Sequence, residues 1–344
     1  MSDEQPPIRA FGDNDGDLRH LNGRTIAFIG YGNQGRAQAL NLRDSGIANI
    51  IVGTQSDESF TQADADGFLV SAVAEAAERA DVLFLLVPDE VLPDVFAASI
   101  AQHLQAKDAI VFASGYNLTY EGVALPSNVD VLLLAPRMIG RQLRKLYERG
   151  EGFYSYVSVE QNASGNAWPL VLALAKGIGT LRLGAFELSA RDETLLDLYG
   201  EQGLGALIGM LYFTALDVGL KAGIPAEALI LDLYLSGEMA ETFEAMAEFG
   251  FVEQSRLHSL TSQYGGMTRS MRVDREALRK HLESAIDEIK SGAFAKEWAA
   301  ERASGYENFN RFRELGRQAN PFEPIEQRIR DALKEAQARR ETSG

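Results

Sequence analysis

Short unbroken apolar runs punctuate the first half of the chain at residues 26–29, 50–53, 82–87, 109–113 and 131–134, each closed, directly or after one alanine, by glycine, proline or a polar residue. Runs of this length without alternation read as strands buried on both faces of a parallel sheet. Between them, residues 72–80, 92–104 and 168–178 bring apolar side chains back every three or four positions, the period of a helix packed on one side. Strands alternating with helices predict an α/β, Rossmann-type doubly wound parallel sheet. A further strand pair is expected at 154–159 and 180–183, flanking the helix at 168–178. Beyond residue 187 strand signals nearly vanish and long helical patterns take over, so an all-α C-terminal domain follows. The expected boundaries are an N-terminal arm at 1–22, the sheet domain at 23–185, the helical domain at 186–335 and a tail at 336–344. Pro6, Pro7, Gly12 and Gly16 interrupt any period in the arm, which should be flexible or loosely docked.

The first strand leads into the sharpest local signal. Residues 25–42 read strand, turn, helix, with Gly30, Gly32 and Gly35 in G-x-G-x-x-G spacing around Tyr31, Asn33 and Gln34. In that context the first glycine permits the turn, the second lets backbone N–H groups approach a pyrophosphate, and the third allows close helix packing. A dinucleotide site is therefore expected. The second strand ends where such a domain tests the adenosine ribose, and the loop there runs Thr54, Gln55, Ser56, Asp57, Glu58. Two acids and no cation suit the 2′-hydroxyl of NAD(H) over the 2′-phosphate of NADP(H), although an ordinary solvated turn has the same composition. Ligands of open α/β sheets bind at the carboxyl ends of the strands. That topology adds Pro88, Ser114, Gly115, Asn117 and Arg137 to the cleft.

Composition narrows the function classes. The 344 residues are 46% hydrophobic and 24% charged, enough for a large core in about two domains. Cysteine is absent, which removes disulfides and thiolate metal sites. A net charge of −16 disfavours nucleic acid and anionic membrane surfaces as partners. The N-terminus reads as lacking an apolar leader, no later run approaches the ~20 apolar residues of a membrane span, and a cytoplasmic protein with a small-molecule substrate is expected. Residues 203–218, apolar and small, should form a buried core helix.

Glu193, Asp197 and Glu201 stand at i, i+4 and i+8. Like charges at this spacing repel by ~0.2–0.5 kcal/mol per pair, so a neighbouring cation would relieve a modest strain. The acids suit either a solvated face or an oxygen-liganded Mg²⁺. Asp232 is a single acid in the apolar stretch 229–235, and such acids are usually paired or functional.

In order along the chain, IGYGNQGRAQALNLRDSG from Ile29, LLVPDE from Leu85, FASGYN from Phe112, LLAPR from Leu133, DETLLDLYGEQ from Asp192, SQYG from Ser262 and SGAFAKEW from Ser291 resemble the short form of the ketol-acid reductoisomerases. The resemblance covers about residues 20–335. It implies a Rossmann domain, a knotted helical domain, NAD(P)H, Mg²⁺ and a homodimer whose partner completes each site. It further implies that Asp197 bridges two Mg²⁺ ions, that Glu201 binds one, and that Ser259 holds the carboxylate of a 2-keto or 2-hydroxy acid. A second metal-site helix in the family carries two glutamates four apart. Counting forward from Gly223 aligns these with Asp232 and Ser236, whereas counting back from Ser259 aligns the second with Glu238. A two-residue insertion reconciles the counts, with Gly237 bending the helix so that Glu238 reaches in.

Two departures concern the chemistry. Ser114 stands where the family has the histidine of A-H-G-F-N, and Arg137 where it has the lysine of A-P-K-G-P-G-H. The catalytic set expected here is thus Ser114, Arg137, Glu201 and Ser259. With the histidine gone, the proton for a developing alkoxide must come from water or from a carboxylate such as Glu201. The alternatives to a reductoisomerase are a plain 2-hydroxy-acid dehydrogenase without the alkyl shift and a non-catalytic dinucleotide-binding protein.

Overall fold

A computed structural model describes residues 7–120 and 122–341, and the chain divides between Asp197 and Leu198 into two compact units. The first unit is built on nine strands: β1 (Ala10–Phe11), β2 (Ile26–Ile29), β3 (Ile50–Gly53), β4 (Leu69–Ser71), β5 (Val82–Leu85), β6 (Ala109–Phe112), β7 (Asp130–Pro136), β8 (Tyr154–Gln161) and β9 (Gly184–Glu187). Their order is β1-β9-β8-β7-β6-β5-β2-β3-β4. Strands β4, β3, β2, β5, β6 and β7 run parallel, and β8 and β1 each join antiparallel to a neighbour.

The continuous apolar runs are explained by two cores. On one face Phe28 stacks on Phe84 at 4.6 Å between ring centres, beside Val52, Val111 and Leu132, under the helices Asn33–Asp44 and Ala167–Ile178. On the other, Ile29, Leu83, Leu85 and Phe112 meet Ala76, Leu92 and Phe96. Full burial of one such side chain contributes roughly 1.5–3 kcal/mol. Strand order reverses between β2 and β5, and the crevice of a doubly wound sheet opens at that point.

Several expectations about the first unit change. The arm is docked: β1 pairs with β9, Phe11 and Leu21 are buried, and Lys176 meets Asp13 at 3.0 Å. Its first six residues lie outside the described ones. Residues 180–183 do not form a strand. Gly179 at φ +96° ends the preceding helix, and Thr180 turns inward, its hydroxyl donating to the Phe153 carbonyl at 2.7 Å. The result is a 3₁₀ turn, Thr180–Arg182, and the strand starts at Gly184. The first compact unit runs to Asp197. Strand β9 runs to Glu187, and the helix Ala190–Leu198 docks through Thr194, whose hydroxyl lies 2.9 Å from that of Thr119.

The second unit is entirely helical among the described residues. Its first segments are a π-helical turn, Tyr199–Gly205, and the helix Ala206–Lys221. Leu216, Ile230, Ile325 and Ile329 form a small core, with Tyr234 and Phe322 packed against it. The expected burial of 203–218 is not observed. Met210 and Leu211 are 63% and 67% exposed, and Phe213 is exposed as well. The helical stretch Ala190–Lys221 is moreover long and apolar enough to cross a membrane by length and composition, contrary to expectation. The last helix, Phe322–Glu341, runs into the expected tail.

Candidate active site

The turn after β2 performs the motif's physics. Gly30 sits at φ +97°, and a Cβ there would lie 2.7 Å from the Leu86 carbonyl oxygen. At Gly35 a Cβ would come within 2.2 Å of the Gly30 carbonyl oxygen, which is the close strand–helix approach expected of the third glycine. Gly32 differs, since a Cβ there meets nothing within 4 Å of the protein. Its bareness faces open space. No side chain caps the helix Asn33–Asp44 that begins here, so its first N–H groups are left to a ligand.

A cleft of about 690 Å³ opens over this turn, a size typical of cofactor pockets. Gly30, Tyr31, Gly32, Asn33, Gln34, Thr54, Gln55, Asp57, Pro88 and Ser114 all line it, as expected from the sequence. Gly35 and Gly115 do not. Gly35 serves packing, and Gly115 is pressed against the helix Ala190–Leu198, where a Cβ would meet the Ala190 carbonyl oxygen at 2.1 Å. Tyr31 lines the cleft, and burial pushes its phenol up; the hydroxyl donates to Asp66 at 2.9 Å. Asp57 has a second task, because its Oδ1 accepts the Ser59 N–H at 2.9 Å and caps the helix Glu58–Ala65.

The cleft ends at Ser114, whose Oγ accepts the Tyr116 N–H at 3.2 Å. Beside it lies a cluster built around one cation. The next residue, Gly115, donates its N–H to Glu193 Oε2 at 2.8 Å, and Glu193 Oε1 receives Arg137 Nη1 at 3.1 Å. Arg137 Nη2 reaches Asp197 Oδ1 at 2.6 Å, with the Tyr156 ring 5.5 Å from the guanidinium carbon. Strand β7 delivers the arginine and the helix Ala190–Leu198 delivers both acids, one turn apart. The cation that the i, i+4 repulsion called for is therefore Arg137. Glu193 was weighed in the sequence only as one of three repelling acids. Its placement in a closed spot depends on the fold of β6 and β7, which spacing alone does not reveal.

Glu193 is 1% exposed, and this burial pushes its carboxyl up to about 7; Asp197 pushes the same way, while the Gly115 N–H and Arg137 oppose. The folded protein thus holds a proton that the unfolded chain releases near its ordinary value of 4.5. Stability conferred at low pH is then lost as pH rises from there towards 7, by up to about 3 kcal/mol at 1.36 kcal/mol per pKa unit. Glu193→Gln should abolish this slope. Thermal melts of both proteins between pH 4.5 and 8 check it: the variant's Tm should gain on wild type as pH rises, and parallel curves would refute the assignment.

The remaining expected residues belong to the second unit. Glu201 lies in the π-helical turn Tyr199–Gly205 and Asp232 in another, Leu231–Leu235. Such turns insert an extra residue and often mark functional sites. Gly237, at φ +87°, breaks the helix between Ser236 and Glu238, and Glu238 opens the next one. The break means that regular four-residue spacing does not carry across this point, so neither alignment count is decided by it. Ser259 caps the helix Leu260–Ser270, its Oγ accepting the Ser262 N–H at 3.2 Å. Among the described residues no three His, Cys, Asp or Glu side chains gather as a metal site. Asp197, Glu201, Asp232 and Glu238 are the four expected ligands. The donor chemistry nevertheless fits Mg²⁺: all four are hard oxygen ligands, and Asp197 gives only Oδ1 to Arg137, leaving Oδ2 for an ion.

Comparison with known proteins identifies the family. Residues 20–184 match the family described as acetohydroxy acid isomeroreductase, NADPH-binding domain, and residues 191–335 match ketol-acid reductoisomerase, C-terminal domain. A Saccharolobus solfataricus relative named as a member of the same family is 40% identical over 309 residues, covering 89% of this chain and 92% of its own. The ketol-acid reductoisomerase (NADP(+)) of Methanocaldococcus jannaschii is 38% identical over 314 residues, covering 90% and 93%. The solved structure of an NADH-preferring ketol-acid reductoisomerase from an uncultured archaeon superposes with a TM-score of 0.88 at 31% identity, covering 94% of this chain and 99% of that one. With both halves of the chain matched and the dinucleotide turn formed, the protein is an NAD(P)-dependent oxidoreductase that belongs to the ketol-acid reductoisomerase family.

Proposed function

We propose that this family member uses NADH, with Mg²⁺, to reduce a small 2-keto carboxylate, either an acetohydroxy acid after isomerisation or a simpler relative. The observation that carries the reading is the Arg137–Glu193–Asp197 cluster at the Ser114 end of the dinucleotide cleft. It sets a fixed positive charge and a carboxylate with one open oxygen beside the place where a cofactor's reactive end belongs. Asp197, Glu201, Asp232 and Glu238 are the residues that would hold Mg²⁺, which supplies polarisation of a carbonyl when bound. Completion of that set by a second copy is supported by the large exposed apolar surface of Ala206–Lys221, which a homodimer would cover. The charge of −16 and the absence of cysteine support a cytoplasmic enzyme without nucleic-acid or membrane partners. The test is anaerobic single-turnover oxidation of NADH and NADPH against acetolactate and a panel of 2-keto acids, with and without Mg²⁺. No oxidation with any of them overturns the reading.

The metal assignment makes its own prediction. Asp197→Asn should weaken Mg²⁺ binding at least tenfold in calorimetry while leaving NADH affinity within about twofold, because backbone groups of the G-x-G turn hold the pyrophosphate. Unchanged Mg²⁺ affinity would return Asp197 to a purely structural partner of Arg137.

NADH should bind about tenfold tighter than NADPH, a difference of ~1.4 kcal/mol. Asp57 lines the cleft, and no cation lines it beside Thr54 and Gln55. Arg36, the nearest arginine in sequence to the turn, is held by Asp66 through Nε at 2.7 Å and Nη2 at 3.0 Å. The relatives carry names of both kinds, NADP(+) in one and NADH-preferring in another, so the loop of this chain has to decide. Fluorescence titration measures it, and equal or tighter NADPH binding would show that Arg36 leaves Asp66 for the phosphate.

A second reading, reduction without alkyl migration, is favoured by one observation. Ser114 replaces the residue that would titrate near neutrality, and Arg137 cannot take that role.

A further inference from the structure

On the far side of the phosphate-binding turn the structure holds a second cavity, of about 440 Å³, that shares Tyr31, Gly32 and Asn33 with the dinucleotide cleft. Its walls are the helix Asn33–Asp44 and the helix Gly140–Glu148, which follow the neighbouring-sense strands β2 and β7 and so present their first turns side by side. The Gln142 and Leu143 N–H groups donate to the Ile139 carbonyl, so side chains and not helix ends supply the cavity's donors. Four cations line the cavity and no acid does. Two are neutralised from outside it: Arg36 by Asp66, and Arg144 by Asp44 and Glu148. Arg141 and Lys145 have no acidic partner among the described residues. In a chain of net charge −16, two unpaired cations one helical turn apart, in a hollow without a carboxylate, are the reverse of what the surface offers elsewhere.

We infer that this cavity is an anion site, separate from the dinucleotide cleft, for a small molecule carrying a phosphate or pyrophosphate group. Arg141 supplies a planar fork suited to phosphate oxygens and Lys145 a point charge. The site is also wired to the turn. The Arg141 N–H donates to Asn33 Oδ1 at 3.0 Å, Gln34 Nε2 donates to the Met138 carbonyl at 2.9 Å, and a Cβ on Gly140 would lie 2.0 Å from the Asn33 carbonyl oxygen. An anion drawn onto Arg141 therefore acts on the residues that line the cofactor cleft, and the two anions repel across a shared turn. Binding of one weakens the other by the same factor.

The full-length protein tests this with inorganic pyrophosphate as the probe, at constant ionic strength, by calorimetry with and without saturating NADH. Expected is one pyrophosphate per chain that still binds with NADH saturating, when the dinucleotide turn is occupied by the cofactor's own pyrophosphate. The double variant R141A/K145A should bind pyrophosphate at least tenfold more weakly while its NADH Kd without pyrophosphate stays within threefold. No pyrophosphate binding to the NADH-saturated wild type overturns the proposal, as does wild-type affinity in the double variant under the same condition. A variant that fails to fold is replaced by the single changes Arg141→Gln and Lys145→Gln, each expected to weaken pyrophosphate by at least threefold.

Discussion

Arg137→Met should reduce kcat/KM for NADH-dependent reduction by a factor of about 10²–10³, the usual effect of deleting one preorganised charged group in an active site, and lower stability above neutral pH, where Glu193, pushed up to about 7, is ionised in the wild type. The stability effect follows from what the guanidinium leaves behind. Glu193 would be buried without its counter-charge and Asp197 would lose its 2.6 Å partner. Removing one member of a fully buried pair costs about 3–5 kcal/mol. Arg137 is 32% exposed, so solvent takes up part of the loss and about 2 kcal/mol is expected. That corresponds to a fall in Tm of roughly 4–8 °C for a unit of this size. Adding Glu193→Gln to Arg137→Met should recover most of the Tm and none of the activity, since the double change removes the orphaned charge but not the need for a cation. Arg137→Lys, the residue the family carries, should fall between: an ammonium can meet one carboxylate but lacks the planar fork that spans two. Differential scanning fluorimetry and initial rates on the four proteins measure all of this. If Arg137→Met keeps its Tm within 1 °C and its rate within threefold, the cluster is an ordinary surface ion pair.

The chain shows clearly which parts of such a site a sequence carries. The dinucleotide turn was fully legible, because each glycine answers a local demand: a positive φ at Gly30, an approach to backbone at Gly35, an open face at Gly32. The apolar runs were legible for the same reason, being buried on both faces regardless of distant partners. Residues 180–183 were misread because a β-favouring composition was overridden by the buried hydroxyl of Thr180 and the left-handed glycine before it. The arm was misread because two residues, Ala10 and Phe11, suffice to pair with a sheet edge. Residues 203–218 were misread from composition, which records that a helix is apolar but not whether its own chain covers it. Glu193 escaped notice as a site residue for a further reason. Its character comes from contacts 78 and 56 residues away in sequence, after β6 and β7, and only that meeting separates it from the acids beside it.

Reduction of a preformed 2-keto acid should outpace turnover of acetolactate by about 10²-fold or more. Both reactions end in the same hydride transfer, so the contrast isolates the step before it, in which an alkyl group migrates and a proton must leave one oxygen and return to another. A positioned general acid–base typically contributes about 10²–10⁴-fold to such proton movements. The family's histidine would be suited to that work near neutral pH, and Ser114 is not: its Oγ accepts the Tyr116 N–H, and a serine hydroxyl barely ionises in water. Arg137 cannot give up its proton either. The titrating group that remains nearby, Glu193, is enclosed at 1% exposure and spends both oxygens on Gly115 and Arg137. It can set the charge of the cluster but cannot reach a substrate in the cleft. Hydride transfer suffers less, because a fixed positive charge next to the cleft stabilises the developing alkoxide without titrating. Ser114→His should therefore raise the acetolactate rate by tenfold or more and leave 2-keto acid reduction within about threefold, with the new rate acquiring a pH dependence near 6.5. Steady-state rates with NADH and Mg²⁺ on the two substrates, for wild type and variant between pH 5.5 and 8.5, give the ratio directly. Equal wild-type rates on acetolactate and the 2-keto acid would mean that the isomerising step does not need the lost histidine, and the case for a reductase without isomerase activity would fall with it.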